Sequence, residues 1–246
     1  MIETGVYFGE THSYYDLNLI LSAVDIPPVA PKTSRCPARR PAGFPLFWCA
    51  GPPAIPPAAP KTNFVDVPGA DGTVDLTEAH GEVKYSDREC SFTFTMLPTD
   101  SSTWEEKKTE VSNLLNGRVF KITLDKDDEF YYLGRCQVSG YEVDRKIRQI
   151  VVMATVKPYK FKQDVTVMKY ALTNTPKSVS LINGRKTVSP SIECTNDDTV
   201  IVFGDATFNL SAGTHKVLDI QLKEGNNAVT VSGTGSVTFT YQEGEL

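Results

Sequence analysis

Histidine is scarce in this chain. His12, His80 and His215 fall in three separate segments, and none has the H-x-x-x-H or H-E-x-x-H spacing that puts two imidazoles on one metal. Cysteine is equally uninformative for metal chemistry: Cys36, Cys49, Cys90, Cys136 and Cys194 are an odd number, widely spread, without a C-x-x-C pair. Neither a structural zinc site nor a zinc hydrolase has support. A G-x-S-x-G elbow and a phosphate-cradling glycine loop are both missing, and GTGS at Gly233 to Ser236 reads as a strand-turn glycine pair. The acidic run Asp125, Asp127, Asp128, Glu129 lacks the central glycine of a calcium loop and reads as a solvated hairpin tip. No catalytic, metal-binding or cofactor-binding residue is assigned. No apolar run approaches the roughly 20 residues that a membrane-crossing helix requires. The opening MIETGVYFGETHSYYDL carries Glu3 and Glu10 and has neither a basic region nor an apolar core, so it does not read as a signal peptide. Assembly in a reducing cytoplasm is the expectation.

What remains is an ordinary globular composition, 40% hydrophobic and 22% charged, over 246 residues. That length allows one large domain or two modest ones. The formal net charge of -5 argues against a protein that binds nucleic acid by neutralising phosphates, and no nucleic-acid sequence recognition is expected.

Most segments read as short strands. Cys90, Phe92, Phe94 and Met96 alternate with Ser91, Thr93 and Thr95, the period-2 pattern of a half-buried strand. Phe120, Ile122 and Leu124 repeat it, and the turn DKDDE leads on to Phe130, Tyr132, Gly134, Cys136 and Val138 as a hairpin. Lys146 to Lys157 is a longer, β-branched strand. One helix interrupts the series. Ser102 and Glu105 have capping-box spacing, Trp104, Val111, Leu114 and Leu115 share a face, and Gly117 supplies the stop, so the helix is placed at 103–116. Past Val179 the strands SVSLI, PSIEC, TVIVF, ATFNL, KVLDIQL, NAVTVSG and SVTFTY are split by turn signals, the spacing of a β-sandwich. The fold class is mainly β with one helix, divided into 1–165 and 166–246.

Three stretches, in their serial order, resemble the distal tail proteins of siphophages that infect Gram-positive hosts, a Dit-like tail-tip hub family often encoded by prophages. They are YFGETHSYYDLNLILSA near the start, VDVPGADGTVDLTEAHGEVKYSDRECSFTFTM, and LKEGNNAVTVSGTGSVTFTYQEGEL with its Tyr241, Gly244, Leu246 ending. The middle one matches best, with Pro68-Gly69 and Asp71-Gly72 as its turn and Asp75 entering the next element. The resemblance covers nearly everything outside residues 34–62. It implies a hexameric ring of N-terminal β-barrel or sandwich-like domains, with a galectin-like C-terminal sandwich projecting outwards. Such a ring sits at the virion tail tip, between the tail tube protein above and the tail-associated lysin or fibre protein below. Receptor-binding proteins and the host cell wall are further partners that the resemblance allows. A second reading, from a different class, is a carbohydrate- or host-receptor-binding module. Against a sugar site, no tryptophan follows Pro176, and Phe203, Phe208 and Phe239 sit at alternating core positions.

The resemblance does not explain an insertion bounded by a repeat. IPPVAPKT (Ile26 to Thr33) returns as IPPAAPKT (Ile55 to Thr62), and excising one unit joins APKT directly to NFVDVPG. Eleven of the sixteen prolines lie between Pro27 and Pro60, which excludes helix and nearly excludes a central strand. Extended polyproline arms running out and back are expected. From Ile26 to Val65 no residue is acidic, whereas Lys32, Arg35, Arg39, Arg40 and Lys61 are basic. Phe44, Phe47 and Trp48 mark the expected tip, flanked by Cys36 and Cys49, whose pairing a reducing cytoplasm opposes. Three readings stand: a recombination scar in a surface loop, an interaction arm built on Arg35, Arg39, Arg40, Phe44, Phe47 and Trp48, and a membrane-touching tip. On the first, deleting Ser34 to Thr62 leaves folding and assembly intact.

Overall fold

Alternating apolar residues need a second layer to bury against, and the chain supplies one twice over. It divides into two compact units, Met1–Pro158 and Tyr159–Leu246, each with its own apolar core. The computed structural model describes residues 6–9, 47–49, 53–69, 71–79, 81–96, 101–124, 127–143 and 148–246.

The first unit is built on six antiparallel strands: β1 (Val6–Gly9), β2 (Phe47–Cys49), β5 (Arg88–Met96), β6 (Val119–Leu124), β7 (Asp127–Val143) and β8 (Arg148–Val156). Their order across the sheet is β1-β6-β7-β8-β5-β2. Two further strands, β3 (Phe64–Asp66) and β4 (Thr73–Asp75), pair only with each other among the described residues. Register explains the core. Cys90, Ala154 and Cys136 form one cross-strand row, Phe92, Val152 and Val138 the next, and Arg88, Val156, Gly134 and Phe120 a third. Cys90, Phe92, Phe120, Ile122, Cys136, Ile150, Val152, Ala154 and Val156 are all essentially inaccessible.

The helix α1 (Ser101–Leu115) covers this face. Trp104 and Leu115 enter the core, and Val111 and Leu114 pack on its margin, as their spacing predicts. Its start differs from expectation. The helix begins at Ser101, two residues ahead of the expected 103, so that Ser102 lies within it and not before it. Glu105 instead pairs with Lys108 one turn on. The stop is where the sequence puts it: Gly117 adopts φ +78° and donates its N–H to the Cys136 carbonyl at 2.9 Å.

The hairpin after β6 is also tighter than expected. Leu124 pairs with Asp127, so Asp127, Asp128 and Glu129 begin strand β7 and do not form an acidic loop, and Asp125 lies outside the described residues. The 17-residue β7 serves both neighbours, β6 through its first half and β8 through its second, with a register shift between Val138 and Gly140.

The second unit is a two-sheet sandwich. One sheet runs β10 (Thr166–Ala171), β17 (Ser236–Tyr241), β12 (Ser191–Cys194), β15 (Gly213–Lys216); the other runs β11 (Lys177–Asn183), β16 (Gly225–Ser232), β13 (Thr199–Phe203), β14 (Ala206–Leu210). A small pair, β9 (Lys160–Lys162) with β18 (Gly244–Glu245), completes it. Val179, Leu181, Ile201, Val229 and Val231 from one sheet meet Ile192, Cys194, Val237, Phe239 and Tyr241 from the other. KVLDIQL is not the strand its alternation predicts. The strand is the preceding GTHK, which pairs with Ser191–Cys194, while Val217 to Ile220 make a turn that drops Ile220 and Leu222 into the core. Burial alternation in a core-plugging loop mimics a strand because both need apolar residues two apart.

Candidate functional site

Two features of the first unit face outwards with unusual chemistry: one edge of its sheet, and the β3–β4 hairpin.

The edge comes from the insertion. Phe47, Trp48 and Cys49 pair antiparallel with Met96, Thr95 and Phe94. Further along, Ala54 and Ser91 exchange N–H···O bonds of 3.0 and 2.9 Å. Pro60 then stands opposite Tyr85, flanked by Lys61 N–H to the Lys84 carbonyl (2.7 Å) and Ser86 N–H to the Ala59 carbonyl (2.9 Å). The donors to β5 and its preceding chain are Ala54 and Lys61, and Pro60 occupies a register position that needs no N–H. That placement lets proline live in a sheet, and only at its edge. Pro53, Pro56, Pro57 and Pro60 leave an outer side poor in donors, so further strands have little to pair with. Ile55 anchors the segment by packing on the core.

This corrects the picture of polyproline arms running out and back. The returning half lies along the sheet, because FWC between Pro45 and Pro52 is a proline-free apolar stretch with donors for a ladder. Arg35, Cys36, Arg39, Arg40 and Phe44 lie outside the described residues, as do the side chains of Phe47, Trp48 and Cys49. The first octapeptide, Ile26 to Thr33, lies outside as well.

The repeat then changes what a deletion tests. Excising 34–62 removes β2 and Ala54 but brings Ile26, Ala30 and Lys32 into the sequence positions of Ile55, Ala59 and Lys61, three of the residues that anchor and bond the edge. Their contacts are backbone ones plus an identical isoleucine, so the exchange preserves them. The 34–62 deletion is expected to melt within a few degrees of the full chain. Deleting 26–62, which removes both copies, is expected to cost several times more; equal melting of the two variants in circular dichroism would refute the copy-for-copy exchange.

The second feature is the hairpin. Phe64 pairs with Asp75, Val65 with Val74 and Asp66 with Thr73, and Leu76 N–H extends the ladder to the Asn63 carbonyl at 2.8 Å. The turn residues singled out from the sequence lie here. Pro68 and Gly69 form a turn, Gly69 and Gly72 take φ of +87° and +78°, and nothing crowds either glycine. Asp71 stands exposed beside Gly72. Asp75 closes β4, its Oδ1 accepting the Thr77 N–H at 2.9 Å, and Thr77 Oγ1 accepts the Asn63 N–H at 3.0 Å. The Thr77 side chain and backbone hold the Asp75 carboxyl below the usual carboxylate range. Period-2 alternation sorts the ribbon into two faces: Val65, Val67, Val74 and Leu76 on one, Phe64, Asp66, Thr73 and Asp75 on the other. Every one of these residues is exposed. Sequence reading missed the aliphatic face, since alternation signals a half-buried strand and cannot say that this face stays exposed.

Several titratable groups elsewhere are engaged in contacts within the fold. His12 and His80 lie outside the described residues, and His215 Nε2 sits 2.8 Å from the Ser211 carbonyl on the sandwich surface. Among the described residues no three His, Cys, Asp or Glu side chains gather where they could hold a metal ion. Asp198 accepts the Thr234 hydroxyl and N–H across a turn, which holds its carboxyl low. Cys90 and Cys136 flank Ala154 in the first core. Burial pushes the Cys90 thiol up to about 11, and burial plus the neighbouring Cys90 pushes Cys136 up to about 12, from an ordinary 9.0. A thiol whose folded pKa is raised contributes fully below the unfolded pKa and loses that contribution as pH climbs through the folded one. The first unit is therefore expected to lose thermal stability between about pH 9 and 12, with a flatter profile for a Cys90→Ala/Cys136→Ala chain. Ellman's reagent at neutral pH is expected to label neither thiol until the unit unfolds.

No family model matches the sequence, and no curated protein sequence matches it. Among solved structures, the chain is similar to the SPP1 Dit (gp 19.1) protein, described as a paradigm of the hub adsorption apparatus in Gram-positive infecting phages. The superposition has a TM-score of 0.63 and covers 99% of both chains at 13% identity. The two proteins share a fold. At that identity the likeness establishes the mainly β architecture and says nothing about which side chains are held in common with the SPP1 protein.

Proposed function

We propose that this chain is a structural subunit of a phage tail tip, a non-enzymatic ring that joins the tail tube to a fibre or lysin hub below it. One observation carries the reading: the similarity to the SPP1 hub protein runs through 99% of both chains and is not confined to one common β module. The serial order of the three sequence stretches that resemble distal tail proteins supports it independently. The partners that follow are further copies of the chain, a tail tube protein and a tail-associated lysin or fibre protein, with receptor-binding proteins or the host wall as peripheral contacts. A proline-lined sheet edge suits such a part, since it blocks open-ended strand addition while leaving defined surfaces for assembly.

Light scattering after gel filtration tests this directly. The expected result is a closed multimer of the 27.1 kDa chain, with six copies as the expected number. A chain that stays monomeric and pulls down Gram-positive cell-wall polysaccharide would displace this reading in favour of the binding-module alternative. Immunogold labelling of virions at the distal end of the tail is the matching expectation for location.

A further inference from the structure

A sheet edge is a row of unused backbone donors and acceptors, and the sandwich of the second unit has four such edges: β10, β15, β11 and β14. Three are blunted. β10 carries exposed Lys169 near its middle, and β15 is only four residues long and ends in exposed Lys216. On β11 the Ser180 and Ile182 carbonyls are occupied by the hydroxyls of Tyr170 and Tyr241, which donate to them from the other sheet. β14 has none of these devices. No residue from Ala206 to Thr214 is charged or proline, and Thr207 and Asn209 are exposed.

Register fixes which groups of β14 are unused. Phe203 and Ala206 close the two-residue turn Gly204-Asp205, so they form a hydrogen-bonded pair. Ile201 with Phe208 and Thr199 with Leu210 follow in the same phase. The N–H and C=O of Thr207 and Asn209 therefore point away from β13, and nothing among the described residues bonds them. These two residues are evenly placed about Phe208. An identical strand running antiparallel fits with Phe208 opposite Phe208 and each Thr207 opposite the other copy's Asn209. Both Thr–Asn pairs then exchange two N–H···O bonds.

Any edge can meet its own copy in this way through the backbone; here the side chains permit it. Phe208 is half-buried at the margin of the second core, and the closely spaced central pair lets two such rings cover each other. Asp205, the nearest charge before the strand, comes opposite Ser211 and not opposite itself. The outward positions of the sheet's four strands hold no charged side chain, so the face continues across the seam without repulsion. We propose that β14 is a pairing edge for a second copy of this chain, joined antiparallel about a two-fold axis at Phe208 into one continuous sheet. The contact is isologous, so it joins chains in pairs and stops. Neighbours around a ring of more than two copies are not related by a two-fold axis, so the edge links chains of separate rings, or free chains. The pairing does not depend on the tail-tip reading.

Sedimentation of the full chain over a range of concentrations tests it. Proline in place of Thr207 and Asn209 removes the outward N–H groups and spares those that bond β13. Thr207→Pro/Asn209→Pro is therefore expected to fold and to pair about 100-fold more weakly. The wild-type chain at high concentration is expected to have twice the mass of this variant, and to fall to it on dilution. A second route needs no proline. Thr207→Lys/Asn209→Lys sets like charges opposite each other across the seam and is expected to halve the mass as well. Thr207→Lys/Asn209→Asp sets opposite charges in both pairs and is expected to restore it. Circular dichroism checks that each variant folds. Equal masses for the wild-type and double-lysine chains at every concentration would overturn the pairing and leave the ring reading standing. Failure of the lysine–aspartate chain to regain the mass would overturn the register about Phe208. A wild-type dimer that the double-lysine change splits into monomers would uphold the pairing and overturn the ring.

Discussion

Gly134→Ala is expected to lower the melting temperature of the first unit by about 10 °C while leaving the sandwich unit's transition in place. Gly134 occupies the middle of the six-stranded sheet, opposite Phe120 on one side and Val156 on the other. A methyl group added there meets Val156 Cγ1 at 2.5 Å, the Thr155 carbonyl oxygen at 2.6 Å and Val156 Cα at 2.7 Å. Two of those three atoms are backbone and have no rotamer to escape into. Relief requires β7 and β8 to part, which stretches ladder hydrogen bonds along a central seam. Overpacking of this kind costs about 3 kcal/mol. Gly140 is the internal control, since it lies on the same strand, beyond the register shift, with nothing within 4 Å of an added Cβ. Gly140→Ala is expected to be nearly neutral. If calorimetry finds the two alanine variants melting together, the close approach at Gly134 does not limit stability.

Arg88→Ala is expected to cost the first unit about 3 kcal/mol, whereas Arg88→Met costs less than about half of that. Arg88 is only 6% exposed and points to the core side of β5. Its Nη2 donates to the Pro158 carbonyl, and its guanidinium lies 5.7 Å from the Tyr132 ring centroid. Nε finds no partner among the described residues, so this arginine carries a desolvation cost that its contacts only partly offset. Alanine loses both the contacts and the packed stem, leaving a cavity at the end of the core. Methionine keeps most of the stem and removes the orphaned donor. Both variants free the Pro158 carbonyl, the last residue of the unit, so both are expected to quicken proteolysis around Pro158 relative to the wild-type chain. Equal stability losses for the two variants would show that the charge itself, and not the stem, does the stabilising.

The two glycines and the arginine also show where sequence reading stops. Alternation in CSFTFTM and IRQIVVMATV was enough to predict strands, and the spacing of Trp104, Val111, Leu114 and Leu115 was enough to predict the face of the helix. These are local properties, since side-chain direction follows from backbone period alone. KVLDIQL carried the same local pattern and is a turn, because Gly213–Lys216 pairs with β12 and Ile220 and Leu222 are free to fill the core from a loop.

The candidate surfaces divide along the same line. The repeat, the proline run, the basic block and the turn glycines of VDVPGADG were all readable from the order of residues, because composition and backbone restriction belong to each residue wherever it lies. Nothing in that order said that the proline-rich segment returns to close a sheet edge, or that the aliphatic side of the hairpin stays exposed. Both depend on which other strand is near, and pairing between segments distant in sequence is chosen by the whole core and not by either segment. Residue order dictated that the chain would be β-rich and charge-segregated; only the packed structure decided which apolar faces were used up inside it and which stay exposed.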